Sequence, residues 1–443
     1  MLKKNLKETL QLSYPVIIGQ LGFMMMGVVD SLMVGRLGAA PLAAASLANS
    51  LVIVIGIISF GTAMAVTPLV AISVGADKFD ECGIYFRQSL LVNVGMSLLT
   101  LFVIYFLSGF IQNLDQPIIV SQLAASYAKI LGYSIVPWLL FQTYKQFIEG
   151  LSVMKPAMVI ALAANVVNAV INWILIYGKL GFPALGLDGA GWATFYSRVF
   201  MALTMMFYVM NNKYFKKYDV SFHFKNINFH VIKKILKLGI PSGFQYFFEI
   251  GAFTFAVIMV GWLGTKQLAA HQIAINLASI SYMAVLGISA AGGIRVGNAV
   301  GRQNIFEIRT AGFSAVLLGI CVMFLSGTVF IIFNRFLPTL YIDNIKVIDI
   351  ASSLIIVAAF FQIFDGVQAV ALGVLRGLTD VKIPTIITFI SYWILGLPIA
   401  YLLGFILEFG VVGIWVGLLI GLMASAIMLT LRFNRKSRQR LAI

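Results

Sequence analysis

The chain has 443 residues, 60% of them hydrophobic and 11% charged, with a formal net charge of +15. A soluble globular protein is nearer half apolar and one quarter charged, so that class is excluded. Apolar runs long enough to cross a roughly 30 Å hydrocarbon layer recur from end to end. They lack the alternation over about ten residues that marks a membrane barrel strand.

Twelve helical spans are predicted, near residues 12–35, 46–70, 89–113, 127–150, 156–178, 188–210, 236–262, 270–297, 311–333, 348–374, 383–405 and 410–431. The first is too long for a signal peptide and lacks a small-residue cleavage site, so it reads as a retained span. It holds Asp30 within "MMMGVVDSLMVGRLG" (Met24 to Gly38). In the fourth, Lys145 and Glu149 are four residues apart and placed to neutralise each other. The fifth contains "NVVNAVIN", which sets Asn165, Asn168 and Asn172 along one face, as helix-to-helix glue or, for Asn172 above all, as polar lining of a cavity. The segment "NNKYFKKYDVSFHFKNINFHVIKKILK" (Asn211 to Lys237) reads as a solvated or headgroup-facing link. Span seven carries Glu249. Span eight carries Gln272 and Asn276, then Gly293, Gly297 and Gly301, a small-residue stripe suited to close packing. Arg295 beside that stripe is expected to reach the headgroups. Span ten places Asp365 between Gln362 and Gln368, and span twelve repeats small residues at Gly413, Gly417 and Gly421.

An even number of spans puts both termini on one side. Lys and Arg crowd that side, at Lys3, Lys4 and Lys7, through Lys213 to Lys237 with Lys225 among them, and from Arg432 to Arg440. The opposite side has Arg36, Lys129, Lys179, Lys266, Arg335 and Lys346. Such an excess marks the cytoplasmic face, so both termini are expected in the cytoplasm, with the protein in the inner membrane. The positive charge is addressed to anionic lipid rather than nucleic acid.

The chain also resembles itself. At an offset of 226, "MVGRLGAAPLAAASLANSL" (Met33 to Leu51) faces "MVGWLGTKQLAAHQIAINL" (Met259 to Leu277), and Pro15, Gly61 and Gly75 face Pro241, Gly287 and Gly301. The expected architecture is therefore all-α: twelve transmembrane helices in two six-helix lobes related by a parallel repeat about an axis along the membrane normal. The lobes would be residues 1–210 and 236–443, joined by a basic linker at 211–235.

Asp30, Glu249 and Asp365 fall within spans, where a charged Asp costs about 2.5–3.5 kcal/mol by insertion scales. Arg36 lies six residues beyond Asp30 and points elsewhere on the helix, and no Lys or Arg lies within a turn of Glu249. These acids are expected to face an internal cavity and to bind a proton or, with amide oxygens from Gln272, Asn276, Gln362 and Gln368, sodium. No phosphate-binding loop is present. His223, His230 and His271 are scattered, and no nucleophile–base arrangement stands out, so an enzyme is not expected.

The stretches "GVVDSLMVGRLG", "YFFEIGAFTFAVIMVGWLGTKQLAAHQIAIN", "GGIRVGNAVG" and "DGVQAVALGVLRGLTD" resemble the multidrug and toxic compound extrusion (MATE) family in its bacterial NorM-like branch. The resemblance covers nearly the whole chain. It implies efflux of amphipathic, often cationic, drug-like compounds by antiport with Na+ or H+, through two lobes around a central cavity. It further implies that Glu249 and Asp365 form the cation pair, with Na+ held there if sodium is the coupling ion, and that Asp30 serves drug binding, coupling or both. Glu149 falls on a matching acidic position. Asn172 stands where a proton-coupled branch favours an acid, which argues against a relay confined to the first lobe. No cofactor beyond the coupling ion is implied, and a monomer is expected. The alternative is a lipid-linked saccharide flippase, which calls for a basic cavity that few deep Lys or Arg could supply.

Overall fold

The computed structural model describes residues 2–113, 116–220 and 227–439. Lys225, His223 and Arg440 lie outside the described residues. Among the described residues, twelve helices are long and apolar enough to cross a membrane. They are α1 (Lys3–Gly35), α2 (Ala39–Gly75), α3 (Phe79–Asn113), α4 (Ile118–Gly150), α5 (Lys155–Tyr177), α6 (Gly186–Asn211), α7 (Phe229–Leu263), α8 (Thr265–Gly301), α9 (Ile305–Ile332), α10 (Ile345–Gly377), α11 (Lys382–Ile406) and α12 (Gly410–Lys436). Every predicted span is present in order. Most helices run past the apolar window, because polar end turns also satisfy their backbone groups by helix formation. Where the chain restarts, side chains cap the free amides: Asn304 Oδ1 accepts from Glu307 N at 3.1 Å, and Asn344 Oδ1 accepts from Lys346 N at 3.1 Å.

The internal repeat extends to the turns. Gly38 and Gly264, 226 residues apart, precede α2 and α8 at φ 119° and 120°, a region that only glycine enters freely. Asp77 and Gln303 share φ 57° and 56°, and Ser152 and Thr379 share 63° and 56°. These four are left-handed residues with side chains, so two strained turns are each built twice.

Two compact units emerge, Met1–Ile17 with Phe244–Ile443, and Ile18–Gly243. The divisions fall inside α1 and α7, each close to an internal proline, Pro15 or Pro241. In the unit Ile18–Gly243, Gly61 packs so tightly on Gly239 and Gly243 that a Cβ on it would lie 2.2 Å from the Gly243 nitrogen. In the other unit, Gly287 meets the carbonyl of Ser13 and the side chain of Ile17. Gly61 and Gly287 are repeat equivalents, as are Ser13 and Gly239, and Ile17 and Gly243. One crossing is thus made twice. The stripe on α12 also packs closely, with Gly413, Gly417 and Gly421 against Leu403, Ala400 and Gly396.

Two expectations need correction. Arg295 does not reach for headgroups. It binds the start of α1, donating to Asn5 O at 2.8 Å, Thr9 Oγ1 at 2.7 Å and Glu8 Oε2 at 2.8 Å, because polar groups one turn apart there meet its fork of donors. Nor is the basic link merely solvated. Its turn Lys213–Tyr218 buries Phe215 and Tyr218, while Lys217 covers the rings of Phe79, Tyr214 and Tyr218 at 4.8–5.0 Å. The interleaved aromatics give this stretch an apolar side, and Arg87 fixes its end by an ion pair with Asp219 at 2.6 Å.

Candidate carboxylate sites within the spans

None of the seven ion pairs among the described residues includes Asp30, Glu249 or Asp365. Each acid lies inside one of the compact units, so the two groups are described separately.

In the unit Ile18–Gly243, Asp30 is half-buried on α1. Asn172 Nδ2 on α5 donates to its Oδ1 at 2.5 Å, and Thr194 Oγ1 on α6 approaches Oδ2 at 3.5 Å. Asn172 is fully buried and also donates to Asn168 Oδ1 at 3.0 Å. The asparagine ladder on α5 therefore does more than join helices: it carries donors to the carboxylate. Arg198, one turn beyond Thr194 on α6, was not among the expected site residues. It donates to Ser134 Oγ at 2.7 Å, lies 5.1 Å over the Trp138 ring, and acts on Asp30 through space without an ion pair. A lone arginine in an apolar span was the sequence signal for it. Glu149 is placed apart from this group, paired with Lys145 at 3.3 Å with both side chains nearly enclosed. The spacing that suggested mutual neutralisation is realised.

In the other unit, Glu249 and Asp365 are buried on α7 and α10, at 7% and 8% exposure, and their charges act on each other. Tyr282 on α8 donates to Glu249 Oε1 at 3.3 Å, and Gln245, one turn earlier on α7, donates through Nε2 to Oε2 at 3.2 Å. Asp365 makes no hydrogen bond among the described residues. Two buried carboxylates whose charges act on each other, one of them without a donor among the described residues, repel unless a cation or proton reduces their charge.

The neighbouring amides are arranged differently from the expected oxygen shell. Gln362 Oε1 accepts from Ser281 and Ser326, and Gln368 Oε1 accepts from Tyr392 at 3.0 Å. Each keeps an amide nitrogen with no partner among the described residues, Gln362 Nε2 and Gln368 Nε2. Gln272 and Asn276 approach each other at 3.5 Å, with Gln272 exposed. In this conformation the oxygens of Gln362, Gln368 and Asn276 already face donors, and the Gln272 oxygen accepts no hydrogen bond among the described residues. The scaffold around the pair includes an irregular stretch of α11, where Ile390–Gly396 winds as a π-helix. That extra residue per turn lets adjacent side chains face different helices: Tyr392 reaches Gln368 on α10, and Trp393 Nε1 donates to the Phe248 carbonyl on α7 at 2.9 Å, next to Glu249. Gln245 and Tyr282 were missed by sequence reading. Gln245 was discoverable, being four residues before Glu249 on the same helical face, whereas Tyr282 reaches across from another helix.

The sequence profile of the MatE family matches residues 15–174 and 241–402, one segment in each half. The multidrug resistance protein NorM of Photobacterium profundum is 34% identical over 436 residues, covering 98% of this chain and 96% of that one. The multidrug resistance protein MdtK of Photorhabdus laumondii is 34% identical over 448 residues, covering 99% and 98%. Among solved structures, the eukaryotic MATE transporter AtDTX14 superposes with a TM-score of 0.89 at 22% identity, covering 99% of this chain and 98% of that one. An outward-facing multidrug resistance MATE transporter does so at 0.88 and 20%, covering 98% and 97%.

Proposed function

Since the chain belongs to the MatE family of multi-pass membrane transporters, we propose that it is a multidrug efflux transporter that exchanges drug-like compounds for inward-moving Na+ or H+. The names of its relatives support drug-like substrates, and the charge pattern of its connections supports a bacterial inner membrane with both termini in the cytoplasm. Glu249 and Asp365 serve as the coupling pair, and Asp30 as a carboxylate for drug or cation.

The observation that carries this reading is that Asp30, Glu249 and Asp365 make no ion pair among the described residues, whereas Glu149, near the end of its span, is cancelled by Lys145. A carboxylate already cancelled by Lys or Arg gives a cation little reason to bind. One stabilised by neutral donors keeps its charge for a mobile partner. Exchange then requires that cation and drug favour different states or compete for the same negative charge.

The test is efflux from proteoliposomes under an imposed Na+ gradient or an imposed pH gradient, with wild type and Glu249→Gln. One gradient is expected to drive efflux in the wild type, and Glu249→Gln to abolish that response. Efflux indifferent to both gradients refutes the coupling reading.

A further inference from the structure

We propose that Arg376, acting through the amide of Gln245, is a built-in competitor of the coupling cation at Glu249. This rests on the reading of Glu249 and Asp365 as the coupling pair.

Arg376 stands in the last turn of α10. Its Nη2 donates to Gln245 Oε1 at 3.1 Å and its Nη1 to the Tyr246 hydroxyl at 3.4 Å, with the guanidinium 5.4 Å over the Tyr246 ring. It makes no ion pair among the described residues. A guanidinium carries only donors, so the amide oxygen of Gln245 must face it. The amide NH2 is thereby turned toward Glu249, 3.2 Å from Oε2. Gln245 is 3% exposed, which leaves water little room to substitute for either partner. A permanent charge at the helix end thus fixes the orientation of a neutral donor against the candidate site.

A monovalent cation needs oxygen lone pairs, and one on each oxygen of Glu249 is taken, by Gln245 and Tyr282. Asp365, with no donor, is the open ligand. A cation at the remaining lone pairs meets the amide NH2 of Gln245, positive edge against positive charge. The amide of Gln245 can yield by turning over, which brings its oxygen to the cation but points its NH2 at Arg376, donor against donor. Cation binding and the Arg376–Gln245 contact are therefore antagonistic. By reciprocity, an occupied site loosens Arg376, and a held Arg376 lowers cation affinity by the same factor. This arrangement keeps the ion from binding too tightly to be released at that end. Gln245 and Arg376 are positioning residues in this scheme.

The experiment measures cation binding to the purified full-length protein, with Na+ titrated at fixed pH and protons titrated without Na+. The variants are Arg376→Gln, Gln245→Leu, Arg376→Lys and Glu249→Gln. Arg376→Gln and Gln245→Leu are expected to bind the cation about two- to tenfold more tightly, the scale of one net hydrogen bond, and to exchange more slowly. Arg376→Lys keeps a donor and stays near wild type. A merely structural role would weaken binding or leave it unchanged, so tightening is the distinguishing result. Arg376→Gln provides the same test should Gln245→Leu fail to fold. If Glu249→Gln loses cation binding while neither relay variant tightens it, the competitor role is overturned and the coupling pair stands. If Glu249→Gln itself binds like wild type, the coupling reading fails and this inference falls with it.

Discussion

Gly61→Ala adds one methyl group where two helices of the same unit touch backbone to backbone. The new Cβ would lie 2.2 Å from the Gly243 nitrogen, 2.4 Å from its Cα and 2.6 Å from the Gly239 oxygen. Ordinary contact begins at 3.4 Å, so the helices must separate by about 1 Å at the crossing. Overpacking in a core costs about 1–3 kcal/mol when side chains can give way. Here the nearest atoms are all backbone, and the expected loss is at the upper end, about 3 kcal/mol. The repeat supplies an internal comparison. At Gly287 the closest atom, Ile17 Cγ1 at 2.4 Å, belongs to a side chain, and the backbone atoms lie farther off, the Ser13 oxygen at 2.9 Å and the Ile17 nitrogen at 3.0 Å. Gly287→Ala should therefore cost less, about 1–2 kcal/mol. Gly27 has nothing within 4 Å of an added Cβ and is the control, with no loss expected. Equilibrium unfolding in mixed micelles, together with abundance in membranes, measures all three. Wild-type stability in Gly61→Ala, or a larger loss in Gly287→Ala, would refute the crossing argument.

Glu149→Gln leaves Lys145 buried without its partner and should cost about 3–5 kcal/mol, whereas Lys145→Met with Glu149→Gln should recover most of it in the same unfolding assay. If that double variant exchanges drug normally, Glu149 serves structure. Arg295→Met removes the guanidinium's hydrogen bonds to Asn5, Thr9 and Glu8, so amide exchange should accelerate over residues 3–12 and not over 18–35, as read by hydrogen–deuterium exchange. Trp393→Phe removes the donor to the Phe248 carbonyl, with a cost of about 1 kcal/mol and a weaker response to the driving cation. Asn172→Asp replaces a donor 2.5 Å from Asp30 with a second carboxylate, and two such groups must share a proton. Their mutual repulsion grows as the shared proton is lost, so the variant should lose stability toward alkaline pH more steeply than wild type.

The twelve helices and their repeat were legible because both are written in hydropathy and in identities at fixed offset, which need no knowledge of packing. The paired glycines were also visible as letters, but only the structure shows that Gly61 meets Gly239 and Gly243 and that Gly287 meets Ser13 and Ile17. Arg295 and the Lys213–Tyr218 turn were misread for a shared reason. Basic residues near span ends are usually solvated, and that expectation is blind to a partner brought from far along the chain. Arg295 finds one 287 residues away, in Glu8.

The acids themselves were conspicuous because a carboxylate in an apolar run stands out by cost alone. Their environments were not, because neutral donors carry no such mark. Asn172, Thr194, Gln245 and Tyr282 look like ordinary polar residues until α5, α6, α7 and α8 bring them to Asp30 and Glu249. The difference between kinds of partner is the physical point. Glu8, Glu149 and Asp380 sit toward the ends of helices or in connections and are each joined directly to Arg295, Lys145 or Arg432. Asp30 and Glu249 instead receive hydrogen bonds that stabilise a negative charge without cancelling it, and the arginines associated with them, Arg198 and Arg376, contact Ser134 and Gln245 rather than the acids. A direct ion pair at either position would hold the carboxylate in one state. Separation by one neutral group lets the arginine's field act on the site while the oxygens stay open to exchange, which is the condition for a carboxylate to take up and give back a positive partner.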